Sequence, residues 1–197
     1  MLSETTTRHY LRAAERRLSI LRAADEVVDR DGIGALNMLS VAARAGLSRQ
    51  LMYRYFDGAH ELVDSWLDYR FEPIRQSFVS ALQIFGGDPR RIAESQLQTI
   101  LSLPALDQRL IRSFVGDLAQ MHPELAETIS VWRRRLIDRW VALVAPDRAN
   151  DPVLRARIWG LVHVTIGLLD LLDERELSLE EAHRILMDFA MTIGRST

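Results

Sequence analysis

The densest chemistry in the chain lies between Ser48 and Tyr55, SRQLMYRY, where two guanidinium groups, a primary amide, two phenols and a hydroxyl fall within eight residues. Arg49, Gln50, Leu51 and Arg54 project away from the apolar positions Met52, Tyr53 and Phe56, which recur at helical spacing. Arg and Gln make bidentate hydrogen bonds to guanine and adenine edges, and Leu suits a thymine methyl. Ser48, Tyr53 and Tyr55 offer hydroxyls that can anchor phosphates. The pattern predicts a surface that reads a nucleic-acid groove.

Such a surface must be held by neighbouring helices. Val41, Ala42 and Ala45 lie at one-turn spacing, Gly46 supplies the positive φ of a tight turn, and Ser48 can cap a second short helix. That is a helix-turn-helix, whose second helix enters the DNA major groove while the first braces it. The plain alternative is a helical hairpin inside a bundle, which gives no reason for the outward Arg and Gln. Asn37 is a suitable N-cap for the first of these helices and a further candidate phosphate contact. Residues 8–30 predict an amphipathic helix with Leu11, Ala14, Leu18, Leu21, Ala24 and Val28 on one stripe, stopped by Asp31-Gly32.

Ile20-Leu21-x-Ala23-Ala24, Val27-Val28, Gly32, Val41-Ala42, Ala45-Gly46-Leu47-Ser48, Tyr53, Phe56 and Glu61-Leu62 together resemble the DNA-binding domain of the tetracycline-repressor (TetR) family of bacterial regulators. The resemblance covers residues 16 to 62 with order and spacing preserved. It implies an all-α protein of about nine helices. A DNA-binding domain would span residues 1–58 and an effector-binding and dimerisation domain residues 59–197. It also implies a homodimer that binds a palindromic double-stranded operator, a repressor rather than an activator, released by a small effector. Five positions depart from the family pattern. Asn37 replaces the usual Thr or Ser, Gln50 and Leu51 replace small residues, Tyr55 replaces a His, and Ala59 replaces a Lys that binds the DNA backbone. Loss of that Lys should flatten the salt dependence of binding by roughly one counterion.

Composition sets the outer bounds. The 197 residues are 48% hydrophobic and include no cysteine, which excludes disulfides, thiolate metal sites and a cysteine nucleophile. All 25 basic residues are Arg, and the net charge of −2 conceals an excess of basic over acidic residues before position 61 and the reverse after it. No apolar run is expected to approach a membrane span, and MLSETTTRHY lacks the apolar core of a signal peptide, so a cytoplasmic protein without membrane association is expected.

Beyond the resemblance, a long helix is expected from Ala59 to about Phe85, kinked at Pro73. Asp88-Pro89, Pro104, His122-Pro123-Glu124 and Asn150-Asp151-Pro152 each start a helix, the second of them reaching about Gln120. Arg133-Arg134-Arg135 reads as a solvated face, though one Arg turned inward could bind an acidic ligand. Residues 155–172 are apolar almost all round and so require burial from two sides. Ser178-Leu-Glu-Glu181 is a capping box for a last helix reaching about Ile193, with Ile185, Leu186, Phe189 and Ile193 inward. In the family pattern the helices at about 152–173 and 178–194 join a twin chain, and Gly160 would allow close approach. Trp66, Tyr69, Gln96, Phe114, Trp132, His163 and Thr165 are the candidate effector contacts, a mixture suited to a largely apolar molecule with one or two polar groups.

Two other functions compete. Glu180-x-x-His183 has the spacing of a di-iron ligand pair, but such sites need a second pair and two further carboxylates, and Asp57-x-x-His60 is no convincing partner. No Gly-rich phosphate loop or G-x-S-x-G elbow is present, so neither catalytic residues, a cofactor nor a metal is expected. A helical module that dimerises and binds only protein would keep the C-terminal helices without the Arg49 to Tyr55 pattern.

Overall fold

A computed structural model of the protein describes residues 4–86, 88–116 and 122–192, and among them every regular element is helical. Two compact units emerge, Met1–Phe71 and Glu72–Thr197. The sequence reading assigned residues 59–71 to the larger C-terminal domain. In the structure they belong to the first compact unit.

The first unit contains α1 (Glu4–Asp31), a 3-10 turn (Ile33–Ala35), α2 (Met38–Ala45), α3 (Arg49–Met52) and α4 (Ala59–Arg70). Its core joins Ile20, Ala24, Val27 and Val28 of α1 to Val41, Ala42, Met52, Phe56, Leu62, Val63, Trp66 and Leu67. The expected α1 stripe is corrected at its N-terminal end. Ala14 and Leu18 are exposed, and burial starts at Ile20; the side chain of Leu11 lies outside the described residues. The periodicity is there, and α2 and α4 both pack on α1, but among its described side chains the buried apolar ones begin at Ile20. The C-terminal half of α4 is tied to α1 by polar bonds. Trp66 Nε1 donates to Asp25 at 2.9 Å, and Arg70 Nη1 pairs with Asp25 at 2.6 Å and Asp29 at 3.1 Å.

The single kinked helix expected over residues 59–85 is in fact two, α4 and α5 (Glu72–Phe85), parted at Phe71. Pro73 causes the break rather than a bend. It has no N–H with which to carry the α4 ladder on to the Tyr69 carbonyl, and as the second residue of α5 it sits in a first turn, where that missing N–H has no helical partner in any case.

The second unit continues with α6 (Pro89–Leu101), α7 (Ala105–Val115), α8 (Ala126–Val144), α9 (Pro152–Asp173) and α10 (Leu179–Ala190), giving ten α-helices among the described residues. Gln120 and Ile193, the expected ends of two helices, lie outside the described residues. The starts are sharp because their chemistry is local. Asp88 accepts from the Arg90 amide at 3.0 Å, Asp151 accepts from the Val153 and Leu154 amides at 2.8 and 3.1 Å, and Ser178 and Glu181 form the expected reciprocal box. Phe78, Ala81 and Ile92 form one core cluster and Val141, Leu154 and Ile158 another, with Trp140 packed on both and stacked on Phe78 at 5.1 Å.

Helix α9 corrects one expectation. By length and composition it is apolar enough to cross a membrane, but its polar residues pair with neighbouring helices. Arg155 pairs with Asp138 of α8 at 2.5 Å, and Asp170 and Asp173 hold Arg112 of α7 at 2.8 and 2.6 Å. Gly160 has the expected role within the chain. A Cβ there would come within 3.1 Å of the Phe189 ring on α10, so the ring would have to shift by a few tenths of an ångström to admit one.

Candidate nucleic-acid interface

The turn before α3 fixes how its side chains are presented. Gly46 ends α2 with φ 66°, a left-handed conformation that costs a residue with a Cβ but not glycine. Ser48 then caps α3, its Oγ accepting from the Leu51 amide at 3.2 Å. One helix earlier, Asn37 Oδ1 accepts from the Leu39 and Ser40 amides, both at 3.0 Å, and Nδ2 donates to the Ala35 carbonyl at 3.1 Å. One amide hydrogen of Asn37 is left for a phosphate.

Arg49, Gln50 and Arg54 are exposed together, while Leu51 is half-buried beside the core residue Met52. Tyr53 differs from the sequence expectation. Instead of joining the apolar face it is 45% exposed, with Arg49 donating to its hydroxyl at 3.3 Å and lying 5.8 Å from its ring centroid. Helix α3 stops after one turn, so Tyr53 leaves the packed side and Phe56 takes the buried place. Tyr55 is half-buried and its carbonyl accepts from Arg17 Nη1. The result is a polar face of two cations, an amide and a phenol on a rigidly capped turn, able to donate to base edges and phosphates.

Sequence reasoning missed Arg17, Glu61 and Ser65, which sit behind this face. Arg17 Nη2 donates to Glu61 Oε1 at 2.9 Å and Ser65 Oγ at 2.7 Å, and the guanidinium lies 4.2 Å from the Phe56 ring centroid. Glu61 Oε2 accepts from the Asp57 amide at 2.5 Å. Burial raises the Glu61 pKa, but the Asp57 amide and the Arg17 guanidinium outweigh it and hold the carboxyl below its ordinary value. These partners are 38 to 48 residues apart, beyond the reach of local periodicity.

The candidate effector residues do not form one group. Trp66 is fully buried with its N–H committed to Asp25, and Tyr69 is half-buried on the same helix, both in the first unit. In the second unit, Phe114 and Trp132 are buried with ring centroids 5.8 Å apart. Gln96 is half-buried and donates to Ser77 Oγ at 3.4 Å, and Ser77 and Thr99 share a 2.6 Å hydrogen bond that the sequence did not signal. Thr165 is buried but spends its hydroxyl proton on the Leu161 carbonyl. His163 is exposed, edge-on to Trp159 at 4.7 Å.

Of the three consecutive arginines, Arg134 is the exposed one. Arg133 turns inward, donates from Nε to the Phe114 carbonyl at 2.8 Å and lies 5.9 Å from the Trp159 ring centroid; burial lowers its pKa. His183, half of the di-iron spacing, approaches Glu94 at 3.7 Å.

Residues 20–65 match the model of bacterial regulatory proteins of the tetR family. Over that stretch the chain is similar to this family. Among curated proteins, the HTH-type transcriptional repressor BepR of Brucella suis biovar 1 (strain 1330) is 28% identical over 89% of this chain and 77% of its own length. Among solved structures, a candidate TetR-family transcriptional regulator from Rhodococcus sp. aligns with a TM-score of 0.59 at 23% identity, covering 92% of this chain and 100% of that one. The multidrug-binding protein EbrR, solved with imidazole, aligns with a TM-score of 0.60 at 23% identity over 88% and 94%. The chain therefore shares the fold of these structures across both units, and its first unit carries a helix-turn-helix similar to that of tetR-family regulators.

Proposed function

We propose that this protein is a tetR-family regulator, a cytoplasmic homodimeric repressor that binds a palindromic operator and leaves it when a small, largely apolar effector binds. The reading rests on the exposed Arg49, Gln50 and Arg54 face of a capped one-turn helix. Arg49, Gln50 and Leu51 read bases, while Asn37, Ser48, Tyr53, Arg54 and Tyr55 anchor phosphates. Two such helices must lie about 34 to 36 Å apart to enter successive major grooves. An effector that favours another spacing releases DNA, and the coupling is reciprocal.

Pairing of two copies through α9 and α10 is supported by apolar side chains that the chain leaves uncovered. Val153, Leu179 and Ile185 are 46%, 49% and 42% exposed. Repression draws support from the similarity to BepR. For the effector, the buried pair Phe114 and Trp132 offers an aromatic wall, and the likeness to a multidrug-binding protein suits a largely apolar ligand.

Selection of random duplex DNA by the purified protein, with sedimentation to read its oligomeric state, tests the proposal. An enriched palindrome bound by a dimer is expected. A dimer that enriches no duplex would support the protein-only interaction module instead. Thermal-shift screening against a metabolite and drug library then finds the effector, because specific ligands raise the melting point by mass action.

A further inference from the structure

Given operator binding, we infer that Arg17 is a positioning residue for DNA recognition, fixing the angle at which α3 is presented by joining its exit to α1 and α4. A helix of one turn, Arg49–Met52, cannot hold its own geometry, since nucleation costs more than the few bonds it gains. Its exit tightens through Tyr55 N to Met52 O at 2.9 Å and Phe56 N to Met52 O at 3.1 Å, after which the Tyr55 carbonyl accepts from Arg17.

The rest of that guanidinium is equally committed. One face lies on the Phe56 ring, and Nη2 reaches Glu61 and Ser65 of α4. Glu61 in turn grips the Asp57 amide, so the segment from Tyr55 to Asp57 is held through a carbonyl on one side and an N–H on the other. Only a planar fork with several donors makes these bonds at once; an ammonium on a flexible stem would satisfy one or two. A displacement of α4 is therefore passed to the end of α3 through Arg17 and Glu61.

The competing roles are a purely stabilising contact and a direct phosphate contact. They separate when the full-length protein and its selected operator are titrated over a range of salt. Single-base operator variants at the Gln50 position are included, for wild type, Arg17→Met and Arg17→Lys, all well below each melting midpoint. Met keeps an apolar stem over Phe56 and removes every donor.

Arg17→Met is expected to weaken operator binding about tenfold and to flatten discrimination among the variants, with the salt slope unchanged and little rescue by Lys. A slope reduced by about one counterion with discrimination intact and Lys active would make Arg17 a phosphate contact and overturn the inference. A lower melting point with unchanged affinity and discrimination would overturn it as well. The double variant Glu61→Gln, Ser65→Ala keeps the Phe56 stack and should show the same loss of discrimination at about threefold, which secures the test should Arg17→Met fold poorly. Wild-type protein that enriches no duplex would instead sink the operator reading, and this inference with it.

Discussion

Two helix pairs, α2–α3 and α9–α10, use the same local devices and present opposite surfaces. Each is started by a side-chain cap, Asn37 and Ser48 in the first, Asp151 and Ser178 in the second. In α2–α3 the uncovered positions include Arg49, Gln50 and Arg54; in α9–α10 they include Val153, Leu179 and Ile185. Similar backbone chemistry therefore says little about what each pair meets. A polar, cationic face suits a polyanion with donor and acceptor edges, whereas an apolar face suits exclusion of water by a second protein surface.

The largest effect should come from the apolar pair. Gly167 is exposed and a Cβ there would meet nothing within 4 Å, so Gly167→Gln combined with Ile185→Asp should leave each chain folded yet convert dimer to monomer by sedimentation, abolishing operator binding. A double variant that stays dimeric would place the interface elsewhere. Gln50→Ala should keep the dimer and relax preference at one position per half-site by about 1 to 3 kcal/mol. Unchanged preference in competition binding would remove Gln50 from the reading set.

The caps give a matched comparison. Asn37→Ala and Ser178→Ala should each cost about 1 kcal/mol in denaturant unfolding. Only the first should also weaken operator binding at temperatures where both variants are folded. Equal binding would show that Asn37 serves the helix alone. In the loop before α10, Arg175 has φ 60°, and replacing it with Gly should stabilise the protein by up to about 1 kcal/mol, read as a raised Tm.

The smallest effect concerns pH. The Glu61 pKa is lowered in the folded protein, so its stabilising contribution is complete above the ordinary value of 4.5 and disappears as pH falls through the lower folded value. Acid titration of stability should be shallower in Glu61→Gln, and an identical profile would discount the Arg17–Glu61–Asp57 link.

What could be read in advance was whatever depends on neighbours in the chain. Caps at Asn37, Ser48, Asp88 and Ser178 and the turn at Gly46 follow from one to four residues of context, and all are present. The division at Phe71 was missed because Pro73 permits both a kinked helix and a new one, and only packing of Leu62, Trp66 and Leu67 in the first core decides between them. Arg17 carried no signal in the sequence because its partners lie 38 to 48 residues away. Tyr53 was placed inward by a period that ends when α3 does. The effector residues were the least legible, since an aromatic at a helical position has the same sequence signature whether it lines a core or a pocket.

The helix break at Phe71 also decides where this protein can be cut and rejoined. A chimera spliced after residue 58 would abandon Leu62, Val63, Trp66 and Leu67 and leave a recipient with a hollow reading head. A splice between Phe71 and Glu72 carries that head across whole, ready to be mounted on a different sensor.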